Sequence, residues 1–287
     1  MSLAPSHMFA FLAAVFVWWF STGAILWLIR QADPRGSYCA AALMGGLGVW
    51  GLAASAASAD AAAAYAAFLA ALCLWGLHEL AFLRGWITGP VRRPCPPAAG
   101  GWGRLRAGAG ALLYHELALA GTLALMLWLT RDAPNQVGGL TFAVLFVMRL
   151  SAKLNVFVGA PHLAGEFLPE RLTYLKSYFG HSRHNLLLPL CLAGAGLWAW
   201  RLGHAATIGA SSAFEAAGAS LVFSLLALAM LEHVFLAVPL GDAALWRWAL
   251  RNTAGSPRQL GADPGKSAVG DGAVLAKARL GVDGGLD

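Results

Sequence analysis

Charged residues are scarce in this chain. Asp, Glu, Lys and Arg make up 12% of its 287 residues, whereas a typical soluble domain has about 25%. Hydrophobic residues reach 59%, and the mean hydropathy is +0.63. This composition excludes an ordinary soluble globular domain and predicts a membrane protein with several spans.

Cysteine and internal repetition are also sparse. The four cysteines have no close pairing in sequence, so no disulfide framework, iron–sulfur cluster or structural zinc site is indicated. No duplicated or inverted half is visible, which makes a transporter the weaker interpretation. The net charge of +6 calls for no nucleic acid, because basic residues placed at span ends are explained by contacts with membrane lipids.

Apolar segments of about 20 residues are long enough to cross the hydrocarbon. Only Ala59-Asp60 separates the second apolar segment from the third, and the sixth segment is short. Six spans and eight spans are therefore alternatives. We predict an all-α polytopic membrane protein with about seven transmembrane helices. The predicted spans are Met8–Ile29, Tyr38–Ala57, Ala61–Leu83, Ala109–Leu129, Gly138–Val158, Asn185–Trp200 and Ala213–Leu240.

The basic residues predict the orientation of these spans. Of the 20 Lys and Arg, only Arg131 and Arg201 fall on one side of the predicted membrane. The positive-inside rule therefore predicts a periplasmic N-terminus and a cytoplasmic C-terminus. The first span lacks a basic n-region and is expected to be retained. Residues 1–251 are predicted to form a single transmembrane domain, and the Gly/Ala-rich segment 252–287 a disordered cytoplasmic tail.

Histidine and glutamate gather at the predicted cytoplasmic face. Three pairs are direct neighbours in sequence, and two further pairs are spaced by three or four residues, which places both members on one helical face. Acidic and imidazole side chains at bilayer depth are costly, so their concentration is a site hypothesis. The candidate metal ligands are His78, Glu79, His115, Glu116, His162, Glu166, His181, His184, Glu232 and His233.

Imidazole and carboxylate ligands suit iron, manganese or zinc, and this number of ligands would serve two ions. The spacings resemble in outline the membrane di-iron oxygenases and desaturases, although Asn185 stands where the usual H-x-x-H-H box would continue after His184. Two alternatives are a tetrapyrrole bound by one histidine and a hydrogen-bonded cluster without cofactor. Arg149 and Lys153, four residues apart, could instead pair with the carboxylates of Glu79 or Glu116.

Three stretches carry a family resemblance. They are Phe16-Val-Trp-Trp-Phe-Ser-Thr-Gly-Ala-Ile-Leu-Trp, Trp75-Gly-Leu-His-Glu-Leu-Ala-Phe-Leu-Arg-Gly-Trp-Ile-Thr-Gly-Pro and Arg149-Leu-Ser-Ala-Lys-Leu-Asn-Val-Phe-Val-Gly-Ala-Pro-His-Leu. With them the chain resembles the photosynthetic complex assembly protein family PuhE of purple phototrophic bacteria, from about Phe9 to Leu240. The resemblance implies a multi-pass protein of the bacterial inner membrane. It also implies a role in assembling the reaction-centre and light-harvesting polypeptides or in supplying bacteriochlorophyll to them.

Two classes of function follow. In the first, the protein is a non-catalytic assembly factor that holds reaction-centre or light-harvesting polypeptides, or a pigment. In the second, it is an oxygen-dependent di-iron metalloenzyme that modifies bacteriochlorophyll or a related hydrophobic precursor at the cytoplasmic face. The family resemblance favours the first class and the polar residues favour the second. Whether the protein is an enzyme is therefore left open, and the resemblance assigns no site residue.

Overall fold

The computed structural model describes residues 4–31, 34–159, 168–180 and 185–237. Within these ranges the chain is helical and contains no strand. All of these residues belong to one compact unit, Met1–Arg251. The predicted tail, 252–287, lies outside the described residues.

Seven long helices are described, and they follow the predicted spans in order. They are α1 (Ala4–Arg30), α2 (Pro34–Ala56), α3 (Ala61–Leu83), α4 (Gly101–Leu129), α5 (Val137–Val158), α6 (Leu187–Thr207) and α7 (Ala213–Ala237). A 3₁₀ helix, Glu170–Tyr178, lies between α5 and α6. Six of the seven long helices, all except α6, are long and apolar enough to cross a membrane. The prediction of an all-helical chain with several spans is confirmed. The count of seven spans and the direction of the termini stay predictions.

Helices α3 and α7 form the centre of the bundle. Helix α3 packs against α1, α2, α4, α5 and α7, and α7 packs against α1, α3, α5 and α6. Small residues allow the closest approach: a Cβ atom on Gly48 of α2 would lie 3.1 Å from the backbone oxygen of Ala70 on α3. Such small-residue contacts are how helices pack in a membrane, where no hydrophobic force draws them together.

The turn between α2 and α3 is fixed by two polar side chains. Asp60 is the N-cap of α3 and accepts a hydrogen bond from the amide of Ala63 (2.8 Å). Asn135, which precedes α5, donates to the carbonyls of Ser55 and Ala63 (3.1 and 3.0 Å). The N-terminal ends of α3 and α5 are therefore held side by side.

The opposite ends of α3 and α5 carry a small cap. The last turn of α3, the first half of α4 and the 3₁₀ helix share an apolar cluster of Phe82, Ala111, Leu172, Leu175 and Tyr178, and Val91 from the chain after α3 packs against it. Because the first turns of α4 pack into this cap, α4 begins eight residues before the predicted span. The Gly- and Arg-containing sequence 101–108 is too polar to be recognised as part of a span.

Arginines of the cap region bind the C-terminal ends of three helices. Arg84 donates to the carbonyl of Leu28 in α1 (2.7 Å), and Arg171 donates to the carbonyl of Arg84 just after α3 (2.9 Å). Arg104 donates to the carbonyl of Phe157 in α5 (3.2 Å). Each guanidinium satisfies backbone oxygens that a helix end leaves without a partner, and its charge is favourable at that end of the helix dipole. Burial, and then the nearby charge of Arg171, lower the pKa of the Arg84 guanidinium from its usual value.

Candidate functional site

Two ion pairs join α5 to its neighbours near the cap. Arg149 Nη2 lies 3.0 Å from Glu79 Oε2 on α3, and Lys153 Nζ lies 2.5 Å from Glu116 Oε1 on α4. The two cations are one turn apart on α5, so one helical face presents both charges. The alternative in which Arg149 and Lys153 neutralise these carboxylates is thus what the structure shows.

A buried histidine lies beside these pairs. His115 is 1% exposed, and its ring packs on Phe82 with the ring centroids 4.5 Å apart. Among the described residues, neither ring nitrogen of His115 has a hydrogen-bond partner, and one oxygen of each paired carboxylate, Glu79 Oε1 and Glu116 Oε2, also lacks one. Buried polar atoms are rarely left without a partner in native proteins, so this point between α3, α4 and α5 is the candidate site of the molecule.

The other two described histidines of the predicted set are held by hydrogen bonds. His78 Nε2 bonds with Thr122 Oγ1 on α4 (2.8 Å). His233 is 2% exposed; Nδ1 lies 2.8 Å from the carbonyl oxygen of Ala229, and Nε2 lies 3.0 Å from Ser151 Oγ. Because a carbonyl can only accept, the Nδ1–H donates to Ala229 and Nε2 accepts from Ser151. Both nitrogens of His233 are therefore engaged by the protein.

Glu232 belongs to neither of the two ion pairs, although the charge of Arg149 acts on it. Its Oε1 accepts a hydrogen bond from the indole of Trp18 on α1 (2.7 Å). The side chain is exposed although it lies within a helix long and apolar enough to span. Sequence reasoning missed Trp18, Thr122 and Ser151 as partners, because their contacts join residues 214, 44 and 82 positions apart.

The predicted metal centre is only partly covered by the described residues. His162, Glu166, His181 and His184 lie outside them. In the part of the chain that the structure describes, no group of three or more His, Cys, Asp or Glu side chains could hold a metal ion. The four cysteines are all described, and all are free thiols. The ten-residue metal site stays a prediction, and so do iron and bacteriochlorophyll as its cofactors.

A groove of about 290 Å³ lies at the other end of the bundle, between α5, α6 and α7. Val137, Leu140, Leu202, Phe214 and Val222 give it mainly apolar walls. None of the predicted site residues that the structure describes lines this groove, so it is separate from the candidate site.

Comparison with known proteins places the chain in a family. Residues 5–256 match the family described as "Protein of unknown function (DUF3623)". One relative is the "Uncharacterized 30.4 kDa protein in puhA 5'region" of Rhodobacter capsulatus, which is 41% identical over 272 residues. The match covers 91% of this chain and 97% of the relative. No solved structure matches the chain. With a family match over most of its length, the chain belongs to the DUF3623 family.

Proposed function

We propose that this protein acts in photosystem biogenesis in a bacterial inner membrane. It assembles reaction-centre or light-harvesting polypeptides, or supplies bacteriochlorophyll to them. The observation that carries the proposal is the 41% identical relative, whose description places it in the 5' region of puhA. The resemblance of the three sequence stretches to photosynthetic complex assembly proteins points the same way.

The surface of the bundle supports a role in binding other membrane components. On α1, Phe9, Phe16, Phe20 and Trp27 are 47–63% exposed and share one helical face. Phe16 and Phe20 stack with their ring centroids 5.8 Å apart. In a membrane this aromatic face contacts lipid chains or the helices of another protein, and both are expected partners of an assembly factor.

The described part of the candidate site favours the assembly role over the enzyme. Glu79 and Glu116, the carboxylates nearest His115, each hold a cation of α5. A carboxylate that is paired with Arg or Lys is a poorer ligand for a metal even when its second oxygen is free, because the cation neutralises the negative charge that would attract the metal ion. The di-iron alternative depends on residues outside the described ranges, and no described contact favours it.

Deletion of the gene tests the proposal. Membranes of the deletion strain, of the wild type and of a complemented strain are compared by absorption spectroscopy for assembled complexes and by pigment extraction for bacteriochlorophyll intermediates. Loss of assembled complex with a normal set of pigments is the result expected for an assembly factor. Accumulation of one chemically distinct precursor would instead support the enzyme, and no change in either measurement would remove both functions.

A further inference from the structure

Buried polar atoms without a protein partner are concentrated at one place in the fold. Among the described residues, six buried side-chain nitrogen and oxygen atoms have no hydrogen-bond partner. A buried polar atom that stays unpaired costs free energy, so a group of them indicates that something other than the protein's side chains bonds to them. All six atoms belong to residues near the cap, namely Glu79, Thr88, His115, Glu116 and Tyr174.

Two of these residues meet at the ring of Phe82, in the last turn of α3. The ring of His115 packs on Phe82 with the ring centroids 4.5 Å apart. Lys153 Nζ lies 5.7 Å from the centroid of the same ring and pairs with Glu116. The imidazole on α4 and the ion pair between α4 and α5 therefore share Phe82 as a neighbour.

Two more of the unpaired atoms belong to residues beside His115. Glu79 is three residues before Phe82 on the same face of α3, and its charge acts on His115. Thr88, in the chain after α3, accepts the amide hydrogen of His115 through its backbone carbonyl (3.0 Å). These residues form one group, which we call the His115 cluster: Glu79, Thr88, His115 and Glu116.

The His115 cluster is enclosed by the bundle and the cap. His115 and Thr88 are each 1% exposed, and Glu79 is 8% exposed. Its apolar neighbours Phe82 and Ala111 are buried as well. A pigment or a lipid headgroup would have to displace these side chains, so the ligand that fits here is a small molecule.

The unpaired atoms require a ligand that both donates and accepts hydrogen bonds. The free carboxylate oxygens of Glu79 and Glu116 only accept, the Thr88 hydroxyl can donate, and an uncharged imidazole has one donor and one acceptor. A metal ion would serve lone pairs alone, and within the described ranges no group of three His, Cys, Asp or Glu side chains could hold one. Each carboxylate already pairs with a cation, Arg149 or Lys153. Water is the small molecule with this hydrogen bonding, and a buried water typically makes about three such bonds.

We propose that the His115 cluster binds at least two internal water molecules. One molecule does not suffice, because the two ring nitrogens of His115 lie on different edges of the imidazole and face different directions. The waters join the Glu79–Arg149 and Glu116–Lys153 ion pairs into one network across α3, α4 and α5. Bonds through water are nearly as favourable as direct ones, so the buried atoms are satisfied without a further side chain. This inference is independent of the proposed function.

X-ray radiolysis of the full-length protein in detergent tests the proposal. Hydroxyl radicals formed from water bound inside a protein label the side chains beside it, and equilibration in ¹⁸O-labelled water marks that label. Mass spectrometry measures the labelling rate of Phe82. Phe68 is the matched control, because it is a buried phenylalanine of the same helix that packs in the apolar core. Trp102, which is 79% exposed, reports radicals from the bulk solvent.

Phe82 should be labelled about tenfold faster than Phe68, because internal water lies beside Phe82 only. A radical scavenger in the buffer should suppress the labelling of Trp102 and leave most of that of Phe82. H115L should lower the labelling rate of Phe82 to that of Phe68, whereas H115Q should keep it, because an amide also donates and accepts. H204L, at an exposed histidine of α6, should not change it.

Equal labelling of Phe82 and Phe68, or equal suppression of Phe82 and Trp102 by the scavenger, would overturn the proposal. Unchanged labelling of Phe82 in H115L, or a stoichiometric metal ion that H115L releases, would overturn it as well. Circular dichroism checks the fold of each variant. If H115L does not fold, T88V replaces it, because it removes a hydroxyl of the cluster at nearly constant volume. None of these outcomes affects the assembly function, which the deletion strain tests separately.

Discussion

The carboxylate of Glu79 on α3 and the guanidinium of Arg149 on α5 meet at 3.0 Å, although the two residues are 70 positions apart. The pair lies in the last turns of α3 and just past the middle of α5, whereas Asp60 and Asn135 fix the N-terminal ends of the two helices. Polar groups thus hold the α3–α5 contact at two separate levels. Between these polar contacts, α3 and α5 pack through apolar residues such as Phe68 and Val144.

Replacing Arg149 by Met tests how much this ion pair contributes to the free energy of unfolding. Glu79 is 8% exposed, and removing one partner of a buried pair costs about 3–5 kcal/mol. Because the Arg149 side chain is 42% exposed, we expect a loss at the low end, about 3 kcal/mol. Equilibrium unfolding in mixed detergent micelles measures it.

Arg131 provides the control for this substitution. It pairs with Asp132 at 2.9 Å, but both side chains are exposed. Surface pairs contribute less than about 1 kcal/mol, so Arg131→Met should change stability little. Equal effects of the two substitutions would contradict the assigned role of the Glu79–Arg149 pair.

The sequence predicts the helices well and the site only in part. Long apolar runs mark each span, so the predicted third span, Ala61–Leu83, has the bounds of α3. The 3₁₀ helix Glu170–Tyr178 is not predictable from periodicity, because contacts with the cap hold it. Lys153 and Glu116 are recognisable as partners by charge type. Their pairing, however, depends on how α4 and α5 pack, and no local sequence pattern encodes that packing.

His115 and His233 are a matched pair of buried histidines with opposite hydrogen bonding. Both nitrogens of His233 bond to described groups of the protein, whereas neither nitrogen of His115 bonds to any residue that the structure describes. Losing a buried partner costs about 1–3 kcal/mol, so His233→Leu should destabilise by this amount. His115→Leu should be close to neutral, because it removes polar atoms that the protein leaves unpaired. Thermal unfolding of the two variants in detergent compares them.

Metal analysis of the same preparations addresses the predicted metal centre. If His115 is held by a bound ion, His115→Leu would be as costly as His233→Leu and would release stoichiometric metal. His204, in the last turn of α6 and outside the predicted set, is the control for this measurement. Its replacement by Ala should not change the metal content in either case.

Gly89 allows the chain after α3 to lie against α4. A Cβ atom at this position would lie 2.1 Å from the carbonyl oxygen of Gly110 and 2.6 Å from the carbonyl carbon of Ala111. Both contacts are with backbone, which cannot rotate away, so Gly89→Ala must displace this segment. The same segment accepts the amide hydrogen of His115 through the carbonyl of Thr88 (3.0 Å).

We expect Gly89→Ala to destabilise the protein by about 1–3 kcal/mol, as overpacking does. It should also speed hydrogen exchange at residues 86–91 and in the first half of α4. Gly103 is the matched control, because it lies in α4 with nothing within 4 Å of a Cβ atom. Gly103→Ala should be neutral or stabilising by up to about 1 kcal/mol. Unchanged exchange in Gly89→Ala would show that the segment does not pack on α4 in this way.

Whether α6 crosses the membrane decides how many spans the chain has. Helix α6 has 21 residues, which is long enough to span, but Arg201 and His204 lower its apolar character. Its close packing on α7 favours a full crossing, because a helix at the interface would not run alongside a spanning helix. We therefore expect α6 to span. The loop around Asp132 and the loop around Ser211 should then lie on the same side, with the loop between α3 and α4 on the other side.

Reporter fusions or cysteine accessibility at these three loops and at the C-terminus test this arrangement. With seven spans and the basic residues inside, the loops at Asp132 and Ser211 are periplasmic, and the α3–α4 loop and the C-terminus are cytoplasmic. Opposite sides for Asp132 and Ser211 would show that α6 does not cross. A cytoplasmic Asp132 loop together with a periplasmic α3–α4 loop would overturn the orientation. The shared cytoplasmic level of the predicted histidines and glutamates would then be lost as well, because that level depends on the direction in which α3, α4 and α7 run.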